Sequence, residues 1–207
     1  MAMLKIKGYT LVEILITLLL SSIIVAGIVS FYIVSAKHNT ETLNVMRLDQ
    51  ELSATMNIME NTIQRAGYWA GSSADPSANP YFAQDNYDIA ISNEGKEINI
   101  WYDQNNDAGT RNDDERFGFK FYNNRIQIRN ITTNHTWTDA TDPQVITISN
   151  LQFTKTESSP VNLGNGMQLI KRTIKINLTG NLVSDPAITR TLEREILIGN
   201  DKYLPIS

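Results

Sequence analysis

The 207-residue sequence predicts an α+β fold, a long N-terminal α-helix packed on a C-terminal antiparallel β-sheet domain. Three observations carry that expectation. Residues 14–34 hold no charged side chain, and no proline precedes Pro76, so nothing forbids one helix from Tyr9 to about Arg65. Val45, Leu48, Leu52, Met56, Met59, Ile63 and Ala66 then recur at helical intervals, with Arg47, Asp49, Gln50, Asn57, Glu60 and Gln64 on the polar side. From Tyr87 onward the apolar period becomes two, the period of strands.

Taken in order, the apolar run 14–34 would span roughly 31 Å as a helix, which matches the hydrocarbon core of a bilayer. It is too long for the apolar region of a secretory signal, and Ser35-Ala36-Lys37 is followed by more helix-like sequence. Lys5 and Lys7 ahead of the run favour a cytoplasmic N-terminus, with the bulk of the chain across the membrane. Glu13 is the exception. A carboxylate at the edge of such a run costs about 2.5–3.5 kcal/mol near the bilayer centre, so it needs a reason to be there.

Gly8-Tyr9-Thr10-Leu11-Val12-Glu13, after a short Lys-bearing leader, resembles the processing motif of type IV prepilins, whose usual form is Gly-Phe-Thr-Leu-Ile-Glu. The resemblance implies the type IV pilin fold, removal of residues 1–8 as a leader peptide, and cleavage between Gly8 and Tyr9 by a membrane-embedded prepilin peptidase. The same enzyme would methylate the new Tyr9 amine. Glu13 then has a partner, because a cation stranded among apolar helices is compensated by a carboxylate one turn away. The implied division is residues 9–67 as the helix, with a transmembrane segment at about 14–34, and 68–207 as the globular β domain. Met59–Trp69 (MENTIQRAGYW) resembles the helix end of the W-type minor pilins, related to the J-type minor pseudopilins of type II secretion. Gly67 is a natural helix C-cap, and the polar loop from Gly71 to Pro80 ends the element.

In the β region, Ile89 and Ile91 lead to a turn at Asn93–Lys96, and Ile98, Ile100 and Tyr102 share one face of the next strand. Phe117, Phe119 and Phe121 alternate with polar residues, and Asn123-Asn124 signals a hairpin into Arg125–Arg129. Further strands are expected at Val145–Ser149, Leu151–Thr156, Leu169–Leu178 and Thr189–Ile198, forming one or two sheet layers with the helix over one face. The last hairpin also resembles the W/J class.

Residues able to carry chemistry are few. Cysteine is absent, which removes disulfides, thiolate metal sites and thiol nucleophiles. A net charge of −4 argues against a general nucleic-acid binder while leaving room for a local basic patch. Asp103, Asn105 and Asp107 alternate like the first ligands of an EF-hand loop and would suit Ca²⁺. Against that, Ala108 stands where the glycine belongs, Gly109 comes one residue late, and Asp114 replaces the terminal glutamate, so a solvated hairpin loop is the reading favoured here. His38 and His135 have no motif partners. Lys120, Arg125 and Arg129, with Trp137 and Tyr122, read as ordinary polar strand faces, and DNA is not an expected partner. The sequons at Asn130, Asn134 and Asn177 carry little weight if the source is bacterial. No phosphate loop or paired catalytic acid is present, and no enzyme is expected.

The resemblance therefore implies a structural role, a minor type IV pilin that joins or primes a pilus. Its implied partners are the prepilin peptidase/methyltransferase, other minor pilins and the major pilin, an inner-membrane assembly platform, and membrane lipid. Its implied location is the inner membrane of a Gram-negative bacterium, single-pass with a periplasmic C-terminal domain, and later the pilus at the cell surface. A minor pseudopilin and an uncleaved membrane-anchored adhesin are the alternatives. Glu13 distinguishes this chain from the tip-most pseudopilin class, which typically lacks that acid.

Overall fold

The computed structural model describes residues 8–71, 78–83, 87–129, 136–164 and 166–205. The chain divides into two compact units, Met1–Val45 and Met46–Ser207. Helix α1 runs over Leu11–Ile63, two residues inside the expected span at each end. In the first unit its apolar residues are exposed all round, from Leu11 to Val34.

In the second unit the rest of α1 contributes a buried stripe. Leu48, Leu52, Met56, Met59, Ile63 and, just past the helix, Ala66 are at most 1% exposed, while Val45, the last residue of the first unit, is only half-buried. Each large side chain removed from water contributes roughly 1.5–3 kcal/mol, which fixes this face against the sheets. Among the described residues eleven strands form three antiparallel sheets. The five-stranded sheet has the order β1 (Ile89–Ser92), β2 (Glu97–Trp101), β3 (Arg116–Tyr122), β4 (Arg125–Arg129) and β5 (Trp137–Asp139). The second is β10 (Thr189–Leu197), β9 (Arg172–Leu182) and β6 (Ile146–Glu157), and the third is β11 (Lys202–Pro205), β8 (Met167–Ile170) and β7 (Val161–Asn162). One apolar core joins the helix stripe to Ile98, Ile100, Phe119 and Ile126 of the first sheet and to Phe153, Ile174, Ile176 and Leu178 of the second.

Several expected elements form as read. Asn123 and Asn124 adopt φ of 48° and 60°, the left-handed pair that a tight hairpin turn requires. Tyr102 is buried and stacked on Phe117 at 4.5 Å, although β2 itself stops at Trp101. Two strand expectations are corrected. The segments 145–149 and 151–156 are one strand, β6, because the register shifts by one residue between Ile148 and Asn150. That bulge lets Ile146 and Ile148 share the inner face with Leu151 and Phe153 despite an odd spacing. Conversely 169–178 is not one strand. Lys171 leaves the ladder, its N–H donating to Ser158 Oγ and its carbonyl accepting from Ser158 N–H, so Leu169 pairs with Tyr203 while Thr173 pairs with Leu197.

The helix end is tightly held. Gly67 has φ of +72°, and a Cβ there would lie 2.5 Å from the Phe82 ring, so only glycine fits. The Gly67 N–H donates to the Trp101 carbonyl, and Asn200 Nδ2 donates to the carbonyls of Arg65 and Ala66. Behind this corner Arg172 and Asp88 form an ion pair, with side chains 2% and 4% exposed. A second Arg172 nitrogen donates to the Asn200 carbonyl at 2.7 Å, and the guanidinium sits 5.0 Å from the Phe82 ring.

Candidate functional site

The N-terminal site is built from the first turn of α1. Thr10 is its N-cap. The Thr10 N–H and Oγ1 both donate to Glu13 Oε2, at 2.9 and 3.0 Å, and the Glu13 N–H returns to Thr10 Oγ1 at 3.3 Å. This is a capping box, and it satisfies donors that a helix start leaves orphaned. Thr-x-x-Glu announces it in the sequence, a signal overlooked while the acid was read only as a counter-charge. Gly8 is exposed, with nothing within 4 Å of an added Cβ, and Tyr9 is 85% exposed.

Beyond Glu13 the helix offers almost nothing polar outward. Thr17 donates to the Glu13 carbonyl at 2.8 Å, Ser21 to Thr17 at 2.6 Å, Ser22 to Leu19 at 2.7 Å and Ser30 to Ala26 at 2.9 Å. Each hydroxyl is thus satisfied by its own helix, as an apolar solvent requires. The helix is long and apolar enough to cross a membrane. His38, just beyond the run, is exposed and lies 3.7 Å from Glu41. His135, Asn130, Asn134, Lys5 and Lys7 lie outside the described residues.

The acidic stretch connects β2 to β3 as a hairpin loop. Asp103, Asp107 and Glu115 each place a carboxylate oxygen within 4.8 Å of the others. Asn105 lies beside them, its Nδ2 donating to Asp107 Oδ2 at 2.8 Å and its Oδ1 accepting from the Asp107 N–H at 3.3 Å. Glu115 escaped the sequence reading because it is separated from Asp103 by a loop whose path only the fold reveals. The carboxylates are engaged as acceptors. Asp103 takes the N–H groups of Ala70, Asp107 and Ala108 at 3.1–3.2 Å, and Asp107 takes that of Gly109 at 2.7 Å. Glu115 Oε2 accepts from Tyr81 Oη at 2.6 Å and from Asn112 N–H at 3.3 Å. Burial, and then the bond to Glu115, push the Tyr81 phenol well above its ordinary value, so it stays a donor. These contacts let the loop fold on its own carboxylates.

An exposed apolar helix opened by a small-residue junction and a capping glutamate defines the type IV pilin-like class, and the prokaryotic N-terminal methylation motif matches residues 3–29. Residues 41–198 match the family model of prepilin peptidase-dependent protein B, and the chain belongs to that family. It is therefore a structural, pilin-like protein tied to prepilin processing and anchored by its apolar helix. No curated protein and no solved structure matches it.

Proposed function

We propose that this chain is a minor type IV pilin of the W-type, a structural subunit that joins or primes a pilus after processing. The observation that carries the reading is the helix itself, apolar and exposed on every side directly after the methylation motif, with Glu13 in its first turn. Residues 1–8 are removed as the leader, 9–67 form the stem helix with its membrane segment at about 14–34, and 68–207 form the head. Cleavage after Gly8 creates an ammonium at Tyr9, one residue before the Thr10 cap whose N–H donates to Glu13. The prepilin peptidase/methyltransferase makes that amine, and other minor pilins, the major pilin and an inner-membrane assembly platform receive the subunit. The head then faces the periplasm of a Gram-negative cell before reaching the surface.

Mass spectrometry of the membrane-extracted protein tests this. The expected mature chain begins at methylated Tyr9. An intact Met1, or an unmodified Tyr9, would instead favour the membrane-anchored adhesin. Crosslinking to pilus rather than type II secretion subunits separates the minor pilin from the minor pseudopilin.

The acidic loop is assigned a structural role, since backbone and phenol donors occupy Asp103, Asp107 and Glu115. Calorimetric titration of the full chain with Ca²⁺ up to millimolar concentration is expected to give no binding heat. A saturable heat abolished by Asp103→Asn would make the loop a calcium site.

A further inference from the structure

The outer face of the five-stranded sheet gathers cations that the sequence reading left as scattered polar positions. On β3 the outward residues are Arg116, Gly118 and Lys120, and Arg129 of β4 lies opposite Gly118. Outward positions repeat at about 6.6–6.8 Å along a strand, so Arg116 and Lys120 stand two such steps apart on β3. Arg129 lies beside the midpoint on the neighbouring strand, and Glu97 of β2 lies opposite Lys120. Trp137 of β5 pairs with Arg129 and reaches across Gly118, where its ring would lie 3.0 Å from a Cβ. Arg111 joins from the β2–β3 loop, its guanidinium 3.9 Å from the ring centres of both Tyr87 and Trp101.

These cations differ from several others in the same unit. Arg125, Lys175, Arg190 and Arg194 each meet a carboxylate, at 2.7, 3.1, 3.3 and 3.0 Å. Among the described residues no carboxylate lies within 4.0 Å of a side-chain nitrogen of Arg111, Arg116, Lys120 or Arg129. The Nε atoms of Arg111 and Arg129 are buried without a hydrogen-bond partner. Arg116 has one neutral partner, Asn99 Oδ1 at 3.0 Å. Burial, and then the neighbouring Arg129 guanidinium, lower the Arg116 pKa against the opposing pull of Asp113 and Glu97. Aromatic rings hold the cations instead, with Lys120 Nζ at 4.3 Å from Trp137 and 5.2 Å from Tyr122.

The shape of the group selects its ligand. A single phosphate needs donors that converge on one point, whereas these are strung along a sheet face. They suit a linear polyanion. The half-buried Trp137 and the Tyr122 ring, 53% exposed, add planar apolar surface beside the row. A polymer that alternates charge with flat rings uses both features, and a duplex, with its bases stacked inside, does not. We propose that this face binds single-stranded nucleic acid, with phosphates along the Arg116–Arg129–Lys120 row and a base against Tyr122. The inference stands apart from the pilin reading and does not depend on where the chain is cleaved.

Fluorescence anisotropy of a labelled oligothymidylate, titrated with the full chain in detergent micelles, tests it. Binding is expected at low salt, with log affinity falling against log salt at a slope of roughly −2 for three neutralised phosphates. Lys120→Gln and Arg129→Gln should each flatten that slope by about 0.7. Tyr122→Ala should weaken binding about fivefold or more with the slope unchanged, because it removes stacking and not charge. Lys175→Gln, on another sheet, should change neither. The proposal is overturned if the oligonucleotide does not bind at low salt, or if Lys120→Gln and Arg129→Gln bind like the parent. Equal displacement by a polyuronate, charge for charge, would also overturn it, since the face would then read charge alone.

Discussion

Replacing Asp88 with alanine is expected to lower the stability of the β-containing unit by about 3–5 kcal/mol, the cost of leaving a buried cation without its counter-ion. The partner left behind is Arg172, fully buried among the largest core side chains. Its Nε already lacks a hydrogen bond, so among the described residues loss of Asp88 leaves the Asn200 carbonyl as its one hydrogen-bond acceptor. Arg172 is the first inward position of β9, and Asp88 directly precedes β1. The pair therefore ties the three-stranded β10–β9–β6 sheet to the edge of the five-stranded one. Thermal unfolding of the full chain in detergent, followed by near-ultraviolet circular dichroism, should show a midpoint drop on the order of 10 °C, at about 2–4 °C per kcal/mol for a unit of this size. The double change Asp88→Leu with Arg172→Met should be milder than Asp88→Ala alone, because no charge is then stranded. A midpoint shift of only a degree or two in Asp88→Ala would show that the arginine finds water or another acceptor.

Glu13→Ala should leave membrane insertion and cleavage intact but abolish N-methylation and pilus incorporation. The capping box complicates that experiment, because alanine removes both a helix cap and a charge. Glutamine separates them. It can still reach back to the Thr10 N–H, but it cannot neutralise an ammonium. Under the proposed pairing Glu13→Gln should therefore fail like Glu13→Ala, with incorporation reduced about a hundredfold or more, as for a stranded buried charge worth 3–5 kcal/mol. Thr10→Ala removes the cap at a cost of about 1 kcal/mol and should still assemble. Quantitative immunoblotting of sheared pili, with mass spectrometry of the membrane fraction, reads all three variants. Normal incorporation of Glu13→Gln, or a Thr10→Ala defect as deep as that of Glu13→Ala, would reduce the glutamate to a helix cap.

The features legible in the sequence are those whose signal is local. The stripe from Leu48 to Ala66 and the Asn123-Asn124 turn needed only a few neighbouring residues to declare themselves. Local patterns misled where the chain changed phase. The odd spacing from Ile148 to Leu151 looked like a break but is a bulge within β6, while the continuous run through Lys171 hides a change of sheet. Strands β5, β7 and β11 hold two to four residues, too few to display a period. The cluster of Tyr81, Phe82 and Trp101 was invisible because a loop supplies two of its rings, covering the outer side of β2 that alternation assigned to solvent. The same non-locality placed Glu115 beside Asp103 and Asp107. At the N-terminus, by contrast, glycine, cap and acid all fall within Gly8–Glu13, so the motif is local in sequence.

The four aliphatic hydroxyls between residues 14 and 34 all bond within their own helix, and this bears on how the segment changes surroundings. Moving it from lipid to a bundle of similar helices would require none of these four hydroxyls to exchange partners, which leaves the exposed Tyr32 phenol as the group that could. Because hydrocarbon and apolar side chains are nearly equivalent as solvents, the transfer has little hydrophobic driving force of its own. The span is in effect a reversible bearing, indifferent to which oily medium surrounds it. Direction and register must then be imposed from its ends, by the charge at the first turn and by the folded unit that begins at Met46.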